Sequence, residues 1–154
     1  MRTLVKDTPQ KVGEKIELFG WIDVRRDHGK LIFIDLRDRT GIVQAVFNPS
    51  NADLLKKADI IRSEWVIRLE GHVKARPEKM INKDIPTGMI EIEVLDLEVL
   101  AEAETPPFAL GTDGYELDEE NRLLYRYLDL RRNRLQKNFR YPSEYVQHLR
   151  DLLH

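Results

Sequence analysis

Residues 20–47 bring together, in one short stretch, the side chains that a site for single-stranded RNA requires. Phe33 offers a flat apolar ring, and stacking one base on such a ring contributes ~1–3 kcal/mol. Gln44 has one acceptor and two donors, so its amide can pair with the edge of an unstacked base. Arg25 and Arg26 can hold a phosphate or a base acceptor through two parallel hydrogen bonds. These residue types predict binding of exposed bases.

The alternation of side chains around Phe33 indicates which way its ring points. Residues on one face of a strand recur at every second position, so the segment divides into two sets. One set is Leu31, Phe33 and Asp35, and the other is Ile32, Ile34 and Leu36. The all-aliphatic set is the better core, which leaves Phe33 outside. The alternatives are a Phe33 ring in the core, a merely solvated Gln44, and an arginine pair neutralised by Asp27.

Five short runs with a period of two predict the strands that position these side chains. They span residues 15–24, 31–36, 42–47, 65–75 and 89–100, and Gly20 suggests a bend in the first. Residues 25–30 read as a polar turn centred on Gly29, and a helix capped by Ser50 or Asn51 follows the third strand. This order predicts a mainly β, five-stranded OB-fold barrel with one helix between strands 3 and 4. In that fold nucleic acid lies across strands 2 and 3, whereas a generic antiparallel domain is the alternative.

Beyond residue 103 the alternation stops, and a helical C-terminal extension is predicted. Residues 104–120 form an acidic linker, and residues 121–140 carry seven bases against one acid, with apolar residues at roughly helical spacing. The arginine cluster at 131–134 either pairs with the linker or contacts an RNA backbone. Pro142 suits the first turn of a new helix, which continues to His154 and presents an unfinished apolar stripe. That stripe is typical of a chain cut inside a longer domain.

Composition narrows the classes of protein further. The chain has 154 residues, 42% of them hydrophobic and 34% charged, which suits one core with a heavily charged surface. It has no cysteine, so disulfides and thiolate metal sites are excluded. No run approaches the roughly 18 to 20 apolar residues of a membrane span, and the first residues do not resemble a signal peptide, so we expect a cytoplasmic protein without a membrane partner. The net charge of −2 argues against nucleic acid as an average, but it hides the adjoining acidic and basic blocks.

Three ordered segments resemble the bacterial-type aspartate–tRNA ligases of class II. GWIDVRRDHGKLIFIDLRDRTGIVQAVF is similar to their anticodon-binding domain, RPEKMINKDIPTGMIEIEVLDLEVL to its last strands and the loop before them, and RLLYRYLDLRR to the hinge that follows. The resemblance implies an anticodon domain at 1–103, a linker at 104–120, a hinge at 121–140 and the start of a truncated catalytic domain at 141–154. An asparagine or lysine ligase has the same architecture, and a free-standing OB module or a protein-binding barrel would share only the fold.

The resemblance also implies roles for matching residues. Phe33 would stack on the middle anticodon base, with Gln44 and Arg26 hydrogen-bonding that region and Arg25 a neighbour. Glu91 would accept hydrogen bonds from a guanine at the first anticodon position, and Glu93 is its competitor. His28 resembles enzymes that also accept asparagine tRNA. Lys79 resembles those restricted to aspartate tRNA, so the range stays open.

The resemblance implies that this chain binds tRNA and that another part of a longer protein carries out catalysis. The parent would use ATP and magnesium to join aspartate to tRNA, as a homodimer. The residues that hold ATP and aspartate in class II enzymes lie beyond this sequence, so we expect no catalytic or metal site in it. The 154-residue chain is expected to bind tRNA as an inactive monomer without a cofactor.

Overall fold

Five strands close into a barrel in the computed structural model, which describes residues 2–29 and 31–153. Positions 1, 30 and 154, among them the predicted end of the last helix, lie outside the described residues. The strands are β1 (Lys15–His28), β2 (Leu31–Asp38), β3 (Gly41–Phe47), β4 (Val66–Ala75) and β5 (Ile90–Ala101). Their order around the barrel is β1-β2-β3-β5-β4, in which β3 and β5 run parallel and every other pair is antiparallel. Helix α1 (Ala52–Ile60) lies between β3 and β4, so the predicted OB-fold barrel is confirmed.

The barrel interior is filled by the inward-facing row of each strand. On β2 the aliphatic set is buried and forms part of the core, as predicted from the alternation. Leu54 and Ala58 of α1 join the same cluster from the connection between β3 and β4. Each fully buried aliphatic side chain contributes ~1.5–3 kcal/mol, so the core fixes which residues face outward.

Gly20 and Gly71 allow neighbouring strands to approach closely. A side chain at Gly20 would overlap the backbone carbonyl of Arg37, and one at Gly71 would overlap the carbonyl of Glu93. The β4–β5 ladder also shifts register between Glu70 and Gly71. These positions act as the tight corners of a small barrel, where only glycine fits. The irregularity in β1 lies between Ile22 and Val24, two residues beyond the bend predicted at Gly20.

The polar turn predicted at residues 25–30 is wrong, because β1 continues through His28. Arg25 to His28 pair with Ile34 to Leu31 of β2, so only Gly29 among the described residues of that segment lies outside the strand. Gly29 has φ 64°, a left-handed conformation that glycine adopts without strain. The helix cap agrees with one of the two predicted residues, since the Asn51 side chain accepts a hydrogen bond from Leu54 N at 3.0 Å.

A 3-10 helix (Val5–Lys11) precedes the barrel and was not predicted. It is anchored by Asp38, whose carboxylate accepts a hydrogen bond from Val5 N at 3.0 Å. The other oxygen of Asp38 accepts from Thr40 N at 2.6 Å and from Gly41 N at 3.2 Å. One buried carboxylate therefore holds the β2–β3 turn and the N-terminal segment together.

Residues 106–154 form a second compact unit, with α2 (Glu119–Leu124), α3 (Arg126–Asp129) and α4 (Asn133–Leu153). The helical extension is confirmed, but Pro142 does not begin a helix. It lies inside α4, which runs continuously past it. The preference of proline for a first turn gave the wrong boundary. Inside a helix, proline removes one backbone hydrogen bond and crowds the carbonyl four residues earlier, at a local cost of ~3 kcal/mol that a long helix can tolerate.

The second unit is built around the carboxylate of Asp129, which is fully buried. Arg122 donates to its Oδ2 at 3.1–3.2 Å, Arg126 donates to the same oxygen at 3.1 Å, and Arg132 donates to Oδ1 at 2.8 Å. Burial opposes ionisation of this carboxyl, but the hydrogen bonds from Arg122 and Arg132 outweigh it and lower the pKa of Asp129. Arg132 also donates to the carbonyl of Thr112 at 2.6 Å, so one arginine of the basic block pairs inside the unit with linker backbone.

Candidate nucleic-acid interface

The outward face of β2 and β3 presents the predicted aromatic and amide groups together. Ile34, between Phe33 and Asp35, is fully buried, so those two side chains lie on the opposite, outer face. Gln44 occupies the same face of β3, between two fully buried residues of the core. Phe33 and Gln44 are both partly exposed, as a stacking ring and a base-reading amide must be.

The strand register lines up four side chains across β1, β2 and β3. Arg26 pairs with Phe33 across the β1–β2 ladder, and Asp35 pairs with Gln44 across the β2–β3 ladder. Arg26 Nη2 donates to Asp35 Oδ1 at 2.8 Å, which joins the two pairs diagonally. Across the described residues no hydrogen bond engages the Gln44 amide, so its donors and acceptor are available to a ligand.

Glu91 lies in the next strand of the same face. The parallel β3–β5 ladder sets Ala45 opposite Ile92, so Gln44 and Glu91 are neighbours one residue earlier on each strand. The Glu91 side chain is 30% exposed, and its Oε2 lies 3.5 Å from Arg76 Nε. Its competitor Glu93 is already bound by Lys74 Nζ at 2.7 Å. Glu91 is therefore the carboxylate beside Gln44, while Glu93 is held by a neighbouring cation.

Arg76 is a candidate residue that the sequence reasoning missed. Its side chain is only 5% exposed, and its buried Nε and Nη2 make no hydrogen bond to any described residue. Buried donors without acceptors are costly, and a base carbonyl beside Glu91 would satisfy them. In the sequence Arg76 simply follows a strand and precedes a proline. The only available signal was its place at the start of the RPEKMINK loop.

Arg25 is not brought together with the other predicted residues. Its register partner Ile34 points into the barrel, so Arg25 lies on the face opposite to Phe33. There its Nη2 bridges Asp27 Oδ1 at 3.0 Å and Asp59 Oδ1 at 2.9 Å. The Arg25 guanidinium thus joins β1 to the end of α1.

His28 and Lys79 are both exposed and lie in different parts of the barrel unit. His28 is the last residue of β1 and pairs with Leu31 at the start of β2. Lys79 lies in a 3-10 helix (Glu78–Met80) of the loop between β4 and β5. Each is accessible to a ligand, and neither takes part in the row formed by Phe33, Gln44 and Glu91.

Asp35 dominates the electrostatics at the centre of the face. Burial raises the pKa of its carboxyl above the ordinary value, and the charge and hydrogen bond of Arg26 oppose that shift. Asp23 adds to the rise and Arg76 to the opposition. The face is therefore a mixed surface of paired charges and free base-reading groups rather than a uniformly basic one.

The arrangement of side chains on this face suits base recognition. A ring, an amide, a carboxylate and two guanidinium groups converge on one partly exposed sheet, which is how single-stranded bases are stacked and read. Throughout the described ranges no group of His, Asp and Glu side chains could hold a metal ion. Within those same ranges no helix is long and apolar enough to cross a membrane.

The family model for the OB-fold nucleic acid binding domain of the tRNA anticodon type matches residues 16–100. The chain is 52% identical to an aspartate–tRNA(Asp/Asn) ligase of Halothermothrix orenii, over 96% of this chain and 25% of that protein. It is 48% identical to an aspartate–tRNA ligase of Oceanobacillus iheyensis, over 94% of this chain and 24% of that protein. It thus spans about a quarter of the length of these curated relatives.

Solved structures give the same fold over nearly the whole chain. A putative aspartyl-tRNA synthetase from Leishmania major Friedlin aligns with a TM-score of 0.86 at 23% identity, covering 99% of this chain and 32% of that one. Asparaginyl-tRNA synthetase from Pyrococcus horikoshii, in complex with asparaginyl-adenylate, aligns with a TM-score of 0.82 at 27% identity, covering 99% of this chain and 34% of that one.

The barrel and the family match define an OB-fold nucleic acid binding domain, and the chain belongs to that family. More narrowly, nearly the whole chain is similar to about a quarter of the length of proteins named as aspartate–tRNA ligases. The resemblance drawn from three sequence segments is confirmed.

Proposed function

We propose that this chain reads the anticodon of aspartate tRNA through the outer face of β1, β2, β3 and β5. The observation that carries the proposal is the convergence of Phe33, Gln44 and Glu91, each on a different strand, beside the Arg26–Asp35 pair. Such a row matches a short run of splayed bases, which need stacking surfaces and hydrogen-bonding partners at successive positions. The names of the curated relatives support the identity of the RNA.

Each residue of the row has a role that its chemistry supports. Phe33 stacks on the middle base, and Gln44 and Arg26 hydrogen-bond that region. Glu91 accepts from the amino and imino donors of a guanine at the first position. Arg25 contributes indirectly, through the contacts that fix β1 to α1. The free Gln44 amide and the partly exposed Phe33 ring support direct contact for those two.

The chain serves a longer protein that joins aspartate to tRNA, using ATP and magnesium, as a cytoplasmic homodimer. Residues 1–103 recognise the anticodon, residues 104–120 and 121–140 act as linker and hinge, and residues 141–154 begin the catalytic part. The 154-residue chain by itself is a monomer that binds RNA and does not aminoacylate it. The ligase names of the relatives, of which this chain covers about a quarter, support this division.

The range of tRNAs depends on contacts near the last anticodon base. His28 and Lys79 are the two candidate determinants, and their exposure leaves both accessible to an RNA loop. Relatives named for both aspartate and asparagine tRNA, and others named for aspartate tRNA alone, are similar to this chain at comparable identity. Exchanging His28 or Lys79 and measuring binding of the two anticodons tests this dependence.

The decisive experiment is a titration of the chain with an aspartate anticodon stem-loop, beside loops changed at the middle or the last base. Fluorescence anisotropy at two salt concentrations gives each Kd. We expect the middle-base change to weaken binding by ~1–3 kcal/mol, because the stacked base loses its hydrogen-bonding partners. The last-base loop reports whether asparagine tRNA is accepted. Equal Kd values for all loops, rising only with salt, would make the domain a backbone binder and refute base reading.

A further inference from the structure

An acidic side chain occupies the centre of the proposed RNA face. Asp35 lies two residues from Phe33 on the same side of β2 and directly opposite Gln44 on β3. Its side chain is only 15% exposed, so it is partly withdrawn from water. A carboxylate repels RNA phosphates and accepts hydrogen bonds but donates none. Its presence there requires a specific explanation, because an uncharged residue would avoid the repulsion.

Keeping Asp35 charged is unfavourable to the barrel itself. Burial raises the pKa of its carboxyl, although Arg26 and Arg76 oppose the rise and Asp23 adds to it. An asparagine would have nearly the same shape, but its uncharged amide oxygen would accept a weaker hydrogen bond from Arg26.

The hydrogen bond from Arg26 shows what the charge does. The Arg26 side chain is 53% exposed and would otherwise sample many rotamers in water. Asp35 Oδ1 holds its Nη2 at 2.8 Å, which fixes the planar guanidinium on the face that also carries Phe33, the register partner of Arg26. An arginine fork has five donors, so one pinned nitrogen leaves the others for an incoming base.

We propose that Asp35 is a positioning residue of the anticodon site, which pre-orients Arg26 for the middle base. This inference rests on the proposed function. The ordering of Arg26 happens in the free protein, so the bound complex does not have to order it again. With the Asp35 carboxylate paired to it, Arg26 binds a base more favourably than a phosphate. Arg26 therefore contributes to sequence recognition and not only to general binding of the RNA backbone.

The test compares Asp35→Asn with the wild-type chain and with Asp96→Asn as a charge-matched control. Asp96 lies on β5 beside Arg68 and Lys57, at 3.5 and 3.8 Å, outside the proposed face. Kd is measured for the aspartate stem-loop and for the loop changed at the middle base, and their ratio is the discrimination. We expect Asp35→Asn to lower the discrimination by roughly tenfold, the lower end of what a hydrogen bond to a charged group contributes. Asp96→Asn should leave the ratio unchanged.

Two further variants separate positioning from simple packing. In an Arg26→Ala background, Asp35→Asn should not change the discrimination, because Asp35 acts through that guanidinium. Asp35→Glu keeps the charge but displaces it by one methylene, so it should also lose discrimination.

Thermal unfolding supplies a readout independent of RNA. Because the pKa of Asp35 is raised in the fold, its ionised form destabilises the barrel, and Asp35→Asn should raise Tm at neutral pH. The difference should shrink as the pH falls through the Asp35 pKa, where the wild type becomes neutral.

The binding and unfolding measurements distinguish failure of the positioning role from failure of the proposed function. If the wild type discriminates between the two loops and Asp35→Asn gives the same ratio of Kd values, the positioning role is overturned and the proposed function stands. A ratio that falls equally with and without Arg26, or a lower Tm in Asp35→Asn, makes Asp35 an ordinary structural residue and overturns it as well. A wild-type chain that does not discriminate at all removes the proposed function and this role together.

Discussion

Replacing Phe33 by alanine should weaken binding of the aspartate stem-loop without opening the core. The ring lies on the outer face of β2, and its neighbours Ile32 and Ile34 are already buried in the barrel. Stacking on an aromatic ring contributes ~1–3 kcal/mol per base. At ~1.4 kcal/mol per factor of ten, the Kd should rise by about 5-fold to 150-fold. The salt dependence should not change, because a phenyl ring neutralises no phosphate.

The assay is anisotropy with a series at position 33 and a matched control on the neighbouring strand. Phe33→Trp should preserve binding, Phe33→Leu should lose most of the stacking term, and Phe33→Ala should lose all of it. Val46→Ala is the control, because Val46 is the register partner of Phe33 on β3 and is likewise partly exposed. It removes apolar surface from the same face but no aromatic ring, so its Kd should remain close to that of the wild type.

Two results would refute this reasoning. Equal binding by Phe33→Leu and the wild type, with a loss only in Phe33→Ala, would mean apolar contact rather than stacking. A drop in the free energy of unfolding as large as that expected for the fully buried Phe47, ~3–5 kcal/mol on truncation to alanine, would make Phe33 a core residue. Unfolding curves for each variant distinguish these cases from a direct loss of RNA contact.

Further predictions concern three other residues, Asp129, Gly71 and Arg76. Asp129→Asn should destabilise the second unit by ~3–5 kcal/mol, since it leaves the buried Arg132 without a counter-charge. The exposed Asp113→Asn should be near neutral, and circular dichroism and limited proteolysis check both variants. Because the Asp129 pKa is lowered, its contribution is fully present above the unfolded value of ~3.9 and is lost as the pH falls through the folded pKa, which an acid titration of helicity follows. Gly71→Ala should prevent normal closure of the barrel, because the new methyl group overlaps the carbonyl of Glu93; a folded variant with unchanged Tm would contradict this. Arg76→Gln should relax base discrimination in the stem-loop titration, since it removes the buried guanidinium donors that make no hydrogen bond to any described residue, and unchanged Kd ratios would exclude a role in reading.

The barrel could be predicted because each strand repeats one simple physical requirement. A strand with one buried face alternates every second residue, and the inward rows of β2 and β3 show this without exception. The same logic placed Phe33 and Gln44 outside. It failed at the end of β1, where residues 25–28 project beyond the core and both faces are polar, so the alternation that marks a strand disappears.

Other features depended on contacts far apart in sequence. The N-terminal 3-10 helix is fixed by Asp38, and the separation of 33 residues between Val5 and Asp38 leaves no local pattern. The burial of Arg76 likewise depends on the loop between β4 and β5. The two ends of that loop meet, since Arg76 N donates a hydrogen bond to Met89 O at 2.9 Å. Local preferences can also mislead, as with Pro142, whose suitability for a first turn does not exclude the interior of a long helix.

The acidic net charge and the RNA-reading face are compatible because the cations of that face are already paired. Arg26 is bound to Asp35, Lys74 is bound to Glu93, and Arg76 lies beside Glu91. A cation that keeps its protein partner releases few counterions on binding, so little affinity comes from phosphate neutralisation. For single strands the slope of log K against log salt is about −0.7 per phosphate contact, and one or two contacts would give roughly −1. A slope that shallow, combined with strong discrimination between loops, is the signature of a domain that reads bases and leaves general RNA affinity to other parts of its protein. A slope near −5 would mean that the ion pairs open on binding and that the phosphates, not the bases, dominate the complex.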